Sequence, residues 1–241
     1  MTALLQLDNV SKFYGALKAV DGVSVAVESG EALAVIGPNG AGKTTLFNLI
    51  AGDVAPSRGR IAFGGTDMTF MAPHARSRLG IGRSYQIPHP FANMSVFENL
   101  LVGAIYGGGS AERESYRRCA EVLKMTGLYD KANVPARTLT LLQRKRLELA
   151  RALAVEPKLL LLDEIAGGLT EYECGELVKT IKDIRTRGTT IVWIEHIVHA
   201  LLSVASRLIV MNFGQILAQG DPREVMGDAR VREVYMGMPV Q

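Results

Sequence analysis

The chain has 241 residues, enough for one large domain or for a domain with a second lobe inserted into it. Its 27 basic and 24 acidic residues give a formal net charge of +3, which does not support a nucleic-acid partner. The cysteines, Cys119 and Cys174, lack the spacing of a metal site and are predicted to be reduced thiols. No apolar run approaches the ~20 residues needed to span a bilayer, and no signal peptide is evident.

Apolar runs bounded by glycine alternate with stretches of helical periodicity and predict an α/β fold. In chain order, the predicted strands are residues 5–10, 23–27, 32–36, 61–63, 81–84, 159–162, 190–194 and 208–211. Helices are predicted at residues 42–50 and 172–187, and helical periodicity dominates from residue 96 to residue 154. This order predicts a helical lobe inserted into an α/β domain.

The first motif lies between a predicted strand and a predicted helix. It fits the phosphate-loop pattern G-x-x-x-x-G-K-[ST] with the residues Gly37, Pro38, Asn39, Gly40, Ala41, Gly42, Lys43 and Thr44. The glycines let backbone N–H groups turn inward around phosphates, and the helix directs its positive end to the same place. Lys43 supplies charge for the β- and γ-phosphates, and the Thr44 hydroxyl suits Mg²⁺.

Acidic residues follow the apolar run at 159–162, and a histidine follows the run at 190–194. A buried parallel strand delivers its last residues to the sheet edge where ligands bind. We therefore expect Asp163 to hold Mg²⁺, directly or through water, and Glu164 to polarise the attacking water as a general base. From spacing alone, His196 fits equally an ordinary residue after a strand and a side chain that orients water near the γ-phosphate.

The order of these motifs resembles the ATPases of ABC transporters over nearly the whole chain. The phosphate loop continues into Thr45 in that family's typical spelling. The resemblance implies that Tyr14 stacks on adenine and that Gln86 touches Mg²⁺ and water. It also implies that His196 is the switch histidine of the hydrolytic site.

The resemblance also implies a fold. The expected architecture is a P-loop NTPase core of the RecA-like type, with an N-terminal antiparallel β subdomain and an inserted helical subdomain. The core with its β subdomain would take residues 1–86 and 158–241. The helical subdomain, which carries the family signature, would take residues 87–157.

The signature departs from the family's usual L-S-G-G-Q. The matching residues are Leu139, Thr140, Leu141, Leu142 and Gln143, so both glycines are replaced. Thr140 and Gln143 have the spacing of a capping box, which predicts a helix running toward Ala154 whose start still offers N–H groups to an anion. The two leucines add side chains where the family's backbone approaches phosphate closely, so closure on ATP is expected to be weaker.

The segment after Glu164 departs as well. Ile165 stands where proline is usual, and Thr170 stands where an aspartate commonly reaches the partner subunit. Thr170 and Glu173 also have capping-box spacing, so a plain helix start and a dimer contact are both compatible with the sequence.

The implied function is ATP binding and hydrolysis with Mg²⁺ to power a membrane transporter. One chain carries one phosphate loop and one signature, so a second ATPase subunit, identical or related, is expected to close on ATP with it. Permease subunits are expected to dock near residues 86–97, with a solute-binding protein as an indirect partner. The chain would then lie peripherally on the cytoplasmic face of the cell membrane.

Three stretches are most similar to the ATPase subunits of branched-chain amino-acid importers: residues 86–100, 144–153 and 194–196. One alternative is the ATPase of lipid or lipopolysaccharide export, which resembles the same subgroup. Another is a regulatory subunit that binds ATP but hydrolyses it weakly because of the altered signature. A small-molecule kinase is disfavoured by the order of Lys43, Gln86, Thr140, Asp163 and His196.

Overall fold

The computed structural model describes residues 3–108 and 111–236 of the chain. The chain divides into two compact units, the first made of Met1–Pro73 with Thr190–Gln241 and the second of His74–Thr189. The division expected from the resemblance, with a helical subdomain at residues 87–157, has different boundaries and stays a prediction.

The observed elements confirm the predicted α/β class. In chain order they are β1 (Leu5–Tyr14), β2 (Leu17–Val27), β3 (Ala32–Ile36), α1 (Lys43–Ala51), β4 (Arg58–Phe63), β5 (Thr66–Asp67), α2 (Pro73–Leu79), β6 (Ile81–Ser84), α3 (Val96–Val102), α4 (Glu112–Met125), α5 (Leu141–Ala154), β7 (Leu159–Asp163), α6 (Glu171–Thr186), β8 (Thr190–Ile194), α7 (Val198–Leu202), β9 (Arg207–Asn212), β10 (Gln215–Gly220), α8 (Pro222–Gly227) and α9 (Ala229–Met236). A π-helical turn follows α3, and two 3-10 turns lie between α4 and α5. Within residues 3–108 and 111–236, no helix is both long and apolar enough to cross a membrane.

The first unit contains the expected N-terminal antiparallel β subdomain, with strand order β2-β1-β4-β5. Buried residues alternate with exposed ones along β1 and β2, and Leu5 and Leu7 pair with Val27 and Val25. Both strands run further than the apolar pattern predicted. They continue through register shifts to a two-residue turn, beside which Tyr14 pairs with Leu17.

A second sheet of the first unit places the phosphate loop. β3 pairs in parallel with β8 on one side and with β9 on the other, and β10 adds to β9 in antiparallel orientation. Every residue of β3 and β8 is buried, as expected for strands covered on both faces. The chain leaves the carboxyl end of β3 to form the loop that precedes α1.

The second unit pairs β6 with β7 in parallel, from Ile81 opposite Leu159 to Ser84 opposite Leu162. This register brings the end of β6, just before Gln86, level with the end of β7 at Asp163. Helix α5 packs closely on β6, because a Cβ added to Gly82 would lie 2.5 Å from the carbonyl oxygen of Ala152. The contact fixes α5 beside the segment that carries Gln86.

Gly82→Ala is expected to lower the free energy of unfolding by about 1–3 kcal/mol, because the added methyl group must displace helix backbone. Gly175→Ala is the matched control. Gly175 is exposed within α6, and a Cβ there meets no atom within 4 Å. That change is expected to raise the free energy of unfolding by ~1 kcal/mol, since alanine favours a helix interior. Denaturant titration measures both, and equal stability of the two variants would contradict the packing at Gly82.

Candidate functional site

The phosphate-binding motif forms the loop between β3 and α1 and packs on backbone of the first unit. Gly42 has a φ of 98°, and a Cβ there would overlap the carbonyl oxygen of Ala19. A Cβ on Gly37 would overlap the carbonyl oxygen of Met211. Only glycine fits at these two positions, so packing requires them independently of any phosphate.

Lys43 begins α1 and is buried. Its Nζ donates hydrogen bonds to the carbonyl oxygens of Gly37 at 2.7 Å and Pro38 at 3.1 Å. Gly42 has no side chain with which to cap the helix, and the first turn of α1 contains no carboxylate. The positive end of α1 and the ammonium group therefore lie on the same short loop, which suits an anion.

The other predicted residues of this loop differ in exposure. Asn39, Gly40 and Thr44 are exposed, Pro38 and Thr45 are half-buried, and Ala41 is buried. The carbonyl oxygen of Ala41 accepts a hydrogen bond from the N–H of Gly214, at 3.0 Å. The loop is thus tied to the β9–β10 turn while its tip and the Thr44 hydroxyl stay accessible.

Tyr235 contacts the phosphate loop and was not singled out by the sequence. The N–H of the buried Gly37 donates a hydrogen bond to the Tyr235 hydroxyl oxygen at 3.0 Å. Burial raises the pKa of this hydroxyl, against the opposing effect of the Gly37 N–H. The C-terminal helix α9 thereby holds the first glycine of the motif.

Two further predicted residues lie in the first unit. Tyr14 ends β1 with 48% of its surface exposed, and Lys12 Nζ lies 5.2 Å from the centroid of its ring. His196 is exposed just beyond β8, and its N–H donates to Glu195 Oε1 at 3.0 Å. Tyr14 is therefore accessible for stacking, and the Glu195 carboxylate holds the backbone at His196. The stacking and switch roles stay predictions.

Asp163 ends β7 in the second unit and is buried with an arginine. Arg83 Nη2 lies 3.0 Å from Asp163 Oδ2, and both side chains are less than 10% exposed, at 7% and 5%. Since β6 and β7 are neighbours, this ion pair joins the two strand ends. The carboxylate is thus oriented from one side, a constraint that the sequence did not indicate.

Glu164, the next residue, has a φ of 46°, a left-handed conformation that is uncommon for residues other than glycine. Gln86 Nε2 donates to Glu164 Oε2 at 2.5 Å. Lys145 Nζ donates to the carbonyl oxygen of Gln86 at 2.5 Å and to that of Glu164 at 3.3 Å. The structure therefore brings two of the predicted catalytic residues together and adds a lysine that joins their main chains.

The signature residues form the predicted start of α5. Thr140 N–H donates to Gln143 Oε1 at 3.0 Å, and Gln143 N–H donates to Thr140 Oγ1 at 3.4 Å, which confirms the capping box. Leu141 is 45% exposed and lies beside Gly168, where a Cβ would meet Leu141 Cδ2 at 3.3 Å. Thr140 and Gln143, which were expected to meet nucleotide, thus form the cap of α5. Leu141, which replaces the first signature glycine, packs on the segment after Glu164.

The second predicted capping box is also confirmed. Thr170 N–H donates to Glu173 Oε2 at 2.9 Å, and Glu173 N–H donates to Thr170 Oγ1 at 3.3 Å. The Thr170 N–H and hydroxyl lower the pKa of the Glu173 carboxyl. Thr170 therefore starts α6, and a contact with a partner subunit stays a prediction.

The sequence profile of the ABC transporter family matches residues 20–167, more than half of the chain. The chain belongs to this family. It is an ATP-binding cassette, the subunit that hydrolyses ATP to power transport. A second profile, described as that of a branched-chain amino acid ATP-binding cassette transporter, matches residues 215–237.

Two similar proteins carry the names of different transport systems. A probable branched-chain amino acid transport ATP-binding protein LivG of Archaeoglobus fulgidus is 35% identical, over 97% of this chain and 95% of its own length. A lipopolysaccharide export system ATP-binding protein LptB of Acidithiobacillus ferridurans is also 35% identical, over 98% of both chains. Overall identity therefore does not separate the two classes.

The fold of the cassette agrees with solved structures. A crystal structure of an ABC transporter ATP-binding cassette in its ADP conformation superposes with a TM-score of 0.89. It shares 32% sequence identity and covers 99% of this chain and 100% of its own. The expected P-loop NTPase architecture is thereby confirmed. Binding of adenine nucleotide, a property of this cassette family, is confirmed as well.

Tyr235→Phe is expected to lower the free energy of unfolding by about 1–3 kcal/mol, because the buried Gly37 N–H loses its acceptor. Since Gly37 also supplies a carbonyl to Lys43, nucleotide affinity is expected to fall as well. Chemical denaturation and nucleotide titration measure the two effects. Tyr172→Phe serves as control because that tyrosine is 78% exposed. If both variants matched the wild type, the contact would not constrain the loop.

Proposed function

We propose that this cassette hydrolyses ATP through the Gln86–Glu164 pair and powers the import of branched-chain or related amino acids. The observation that carries the catalytic assignment is the hydrogen bond from Gln86 Nε2 to Glu164 Oε2 at the end of β7. A carboxylate held by an amide donor is oriented to receive a proton from water. Substrate class is carried by the match of residues 215–237 to the branched-chain cassette profile.

The phosphate loop binds the triphosphate in this proposal. Backbone N–H groups from Gly40 to Thr45 surround the phosphates, and Lys43 exchanges its loop carbonyl partners for phosphate oxygens, which carry more negative charge. Tyr14, which is about half exposed, stacks on the adenine ring. Packing that admits only glycine at Gly37 and Gly42 supports this assignment, since it holds the loop in its curled form.

Mg²⁺ fits the donor groups assigned to it. The Thr44 hydroxyl, the Gln86 side-chain oxygen and the Asp163 carboxylate are all oxygen ligands, the type that Mg²⁺ prefers. Arg83 fixes the orientation of Asp163. When bound, Mg²⁺ supplies positive charge to the phosphate oxygens.

Hydrolysis requires a water molecule aimed at the γ-phosphate. Glu164 accepts its proton, Gln86 orients Glu164 and the water, and His196 contacts the γ-phosphate. The left-handed backbone at Glu164 supports its role, because strain of this kind is concentrated at functional sites. The presence of both Glu164 and His196 argues against the weakly hydrolysing regulatory subunit.

A second ATPase subunit completes the site. The N–H groups of Leu141 and Leu142 open α5, and Thr140 and Gln143 stand in the signature positions that meet the partner's nucleotide. In the cap, the Gln143 Oε1 and Thr140 Oγ1 atoms act as acceptors, so the Thr140 hydroxyl hydrogen and the Gln143 amide group can still donate to phosphate oxygens. The side chains of Leu141 and Leu142, which stand where the family has glycine, support weak dimer closure for the isolated chain.

The membrane-spanning partners dock on the segment of residues 86–97. Ile87 is 64% exposed and Phe91 is 45% exposed, while Phe97 is held by Tyr116 at 5.4 Å between ring centroids. Arg151 Cζ lies 5.2 Å from the centroid of the Phe91 ring and restrains that side chain. Exposed apolar side chains on a fixed segment suit a partner helix. Docking there places the cassette peripherally on the cytoplasmic face of the cell membrane, with a solute-binding protein as an indirect partner.

Lipopolysaccharide or lipid export is the second candidate. It is favoured because the LptB relative is as similar to this chain as the LivG relative is, at 35% identity each. Import is preferred because the branched-chain profile matches the C-terminal segment that carries Tyr235. That segment contacts the phosphate loop, so the match concerns a part of the chain that bears on nucleotide binding.

Glu164→Gln is expected to reduce ATP turnover at least ~100-fold, the usual cost of losing a general base, and to retain nucleotide binding. Steady-state hydrolysis and nucleotide titration measure the two quantities. Glu121→Gln, on the exposed surface of α4, is the matched control and should hydrolyse ATP at the wild-type rate. Near-normal turnover by Glu164→Gln would remove the assignment.

The transport class is tested by purifying the cassette from membranes with its bound partners. We expect permease subunits and a second ATPase subunit to co-purify, and a crosslinker placed at Ile87 to reach a permease subunit. Their solute-binding protein should bind leucine, isoleucine or valine when titrated. Recovery of lipopolysaccharide-export components in place of these proteins would select the second candidate.

A further inference from the structure

Lys145 lies in the second turn of α5 and is only 4% exposed. A buried ammonium group needs oxygen atoms in place of the water it has lost. Its Nζ donates to two main-chain carbonyl oxygens, those of Gln86 and Glu164. These two residues are 78 positions apart and are also joined through their side chains. One buried cation therefore touches both members of the proposed catalytic pair.

The conformation of Glu164 explains why such an anchor is needed. Its φ of 46° is one that residues with a Cβ rarely adopt, so the surrounding structure must hold it. A charge-assisted hydrogen bond to the carbonyl of the same residue supplies that constraint. The same ammonium fixes the Gln86 carbonyl, and the Gln86 amide then reaches the Glu164 carboxylate.

The neighbouring turns of α5 hold the chain that follows Gln86. Glu148 Oε1 accepts from His89 N–H at 2.9 Å, and Arg151 Nη1 donates to the His89 carbonyl oxygen at 2.9 Å. Glu148 and Arg151 are themselves paired at 2.8 Å. Lys145 reaches the other side of the Gln86–Glu164 pair as well, because its Nζ bonds to the Glu164 carbonyl oxygen.

We propose that Lys145 is a positioning residue that couples the start of α5 to the Gln86–Glu164 pair. Lys145 follows Thr140 by five positions, or about 7.5 Å along the helix axis. A displacement of the helix start when it meets the partner's nucleotide is carried by the rigid helix to the ammonium, and from there to the carboxylate. The inference rests on the proposed function, in which Glu164 activates water and Thr140 meets nucleotide.

Lys145→Met removes the donor and nearly preserves side-chain length. We expect it to lower kcat for ATP by about 10- to 100-fold through misplacement of Glu164, with nucleotide Kd and KM within about twofold of the wild type. Lys145→Arg, which keeps the charge and the donors, should recover part of the lost kcat. Hydrogen exchange should rise in peptides covering residues 85–91 and 163–168. Lys182→Met, on the exposed surface of α6, is the control and should change none of these.

ATP hydrolysis is measured for the wild type, for Lys145→Met, for Glu164→Gln and for the double variant Lys145→Met/Glu164→Gln. If Lys145 acts through Glu164, the double variant hydrolyses ATP no more slowly than Glu164→Gln alone. Wild-type kcat in Lys145→Met beside an inactive Glu164→Gln would overturn the inference and leave the proposed function standing. A near-normal Glu164→Gln would remove the proposed function itself.

A purely structural role makes a different prediction. It would lower kcat and nucleotide affinity together, and the loss would add to that of Glu164→Gln. This outcome would also overturn the inference. If Lys145→Met does not fold, Lys145→Gln retains an amide donor for one carbonyl and is judged by the same split between kcat and Kd.

Discussion

A lysine ammonium removed from water must be surrounded by oxygen atoms, and each unit of this cassette uses that requirement to shape a functional loop. Lys43 draws the carbonyls of Gly37 and Pro38 inward and curls the phosphate loop. Lys145 draws together the carbonyls of Gln86 and Glu164. In both cases the lysine lies on a helix, and its bonds tie that helix to loop carbonyl oxygens outside it. Displacement of either loop is opposed, because its lysine would then be buried without these acceptors.

The two lysines have different roles when nucleotide binds in the proposed function. Lys43 bonds to carbonyl oxygens of the loop that binds phosphate, so in the proposed function it changes acceptors when ATP arrives. The acceptors of Lys145 belong to the residues that it positions, so in the proposed coupling its bonds persist when the helix is displaced. The first arrangement suits recognition of charge, and the second suits transmission of position. The sequence motif contains only the first.

Local features of the site were predictable from the sequence, and distant contacts were not. The phosphate loop and both helix caps depend on spacings of five residues or fewer, which can be read directly from the sequence. The buried strand before Asp163 is legible because every residue in it is apolar. By contrast, the bond from Gly37 to Tyr235 joins residues 198 positions apart, and that from Lys145 to Gln86 joins residues 59 apart. The elements missed include β10, whose residues are all half-buried or exposed, and α9. Neither contains a continuous apolar run like the one that revealed the five residues of β3.

These contacts give a physical reason for the replacement of the two signature glycines by Leu141 and Leu142. Glycine at the start of α5 would let phosphate approach the backbone, but it would also loosen the helix that carries Lys145, Glu148 and Arg151. Here the capping box closes the helix start, and Leu141 packs beside Gly168, which has a φ of 79°. The helix start is therefore tied to the segment that follows Glu164 even before a partner binds. In the proposed function, the leucines would therefore support the subunit's own Gln86–Glu164 pair and would restrict the approach of the partner's nucleotide to the backbone at the start of α5.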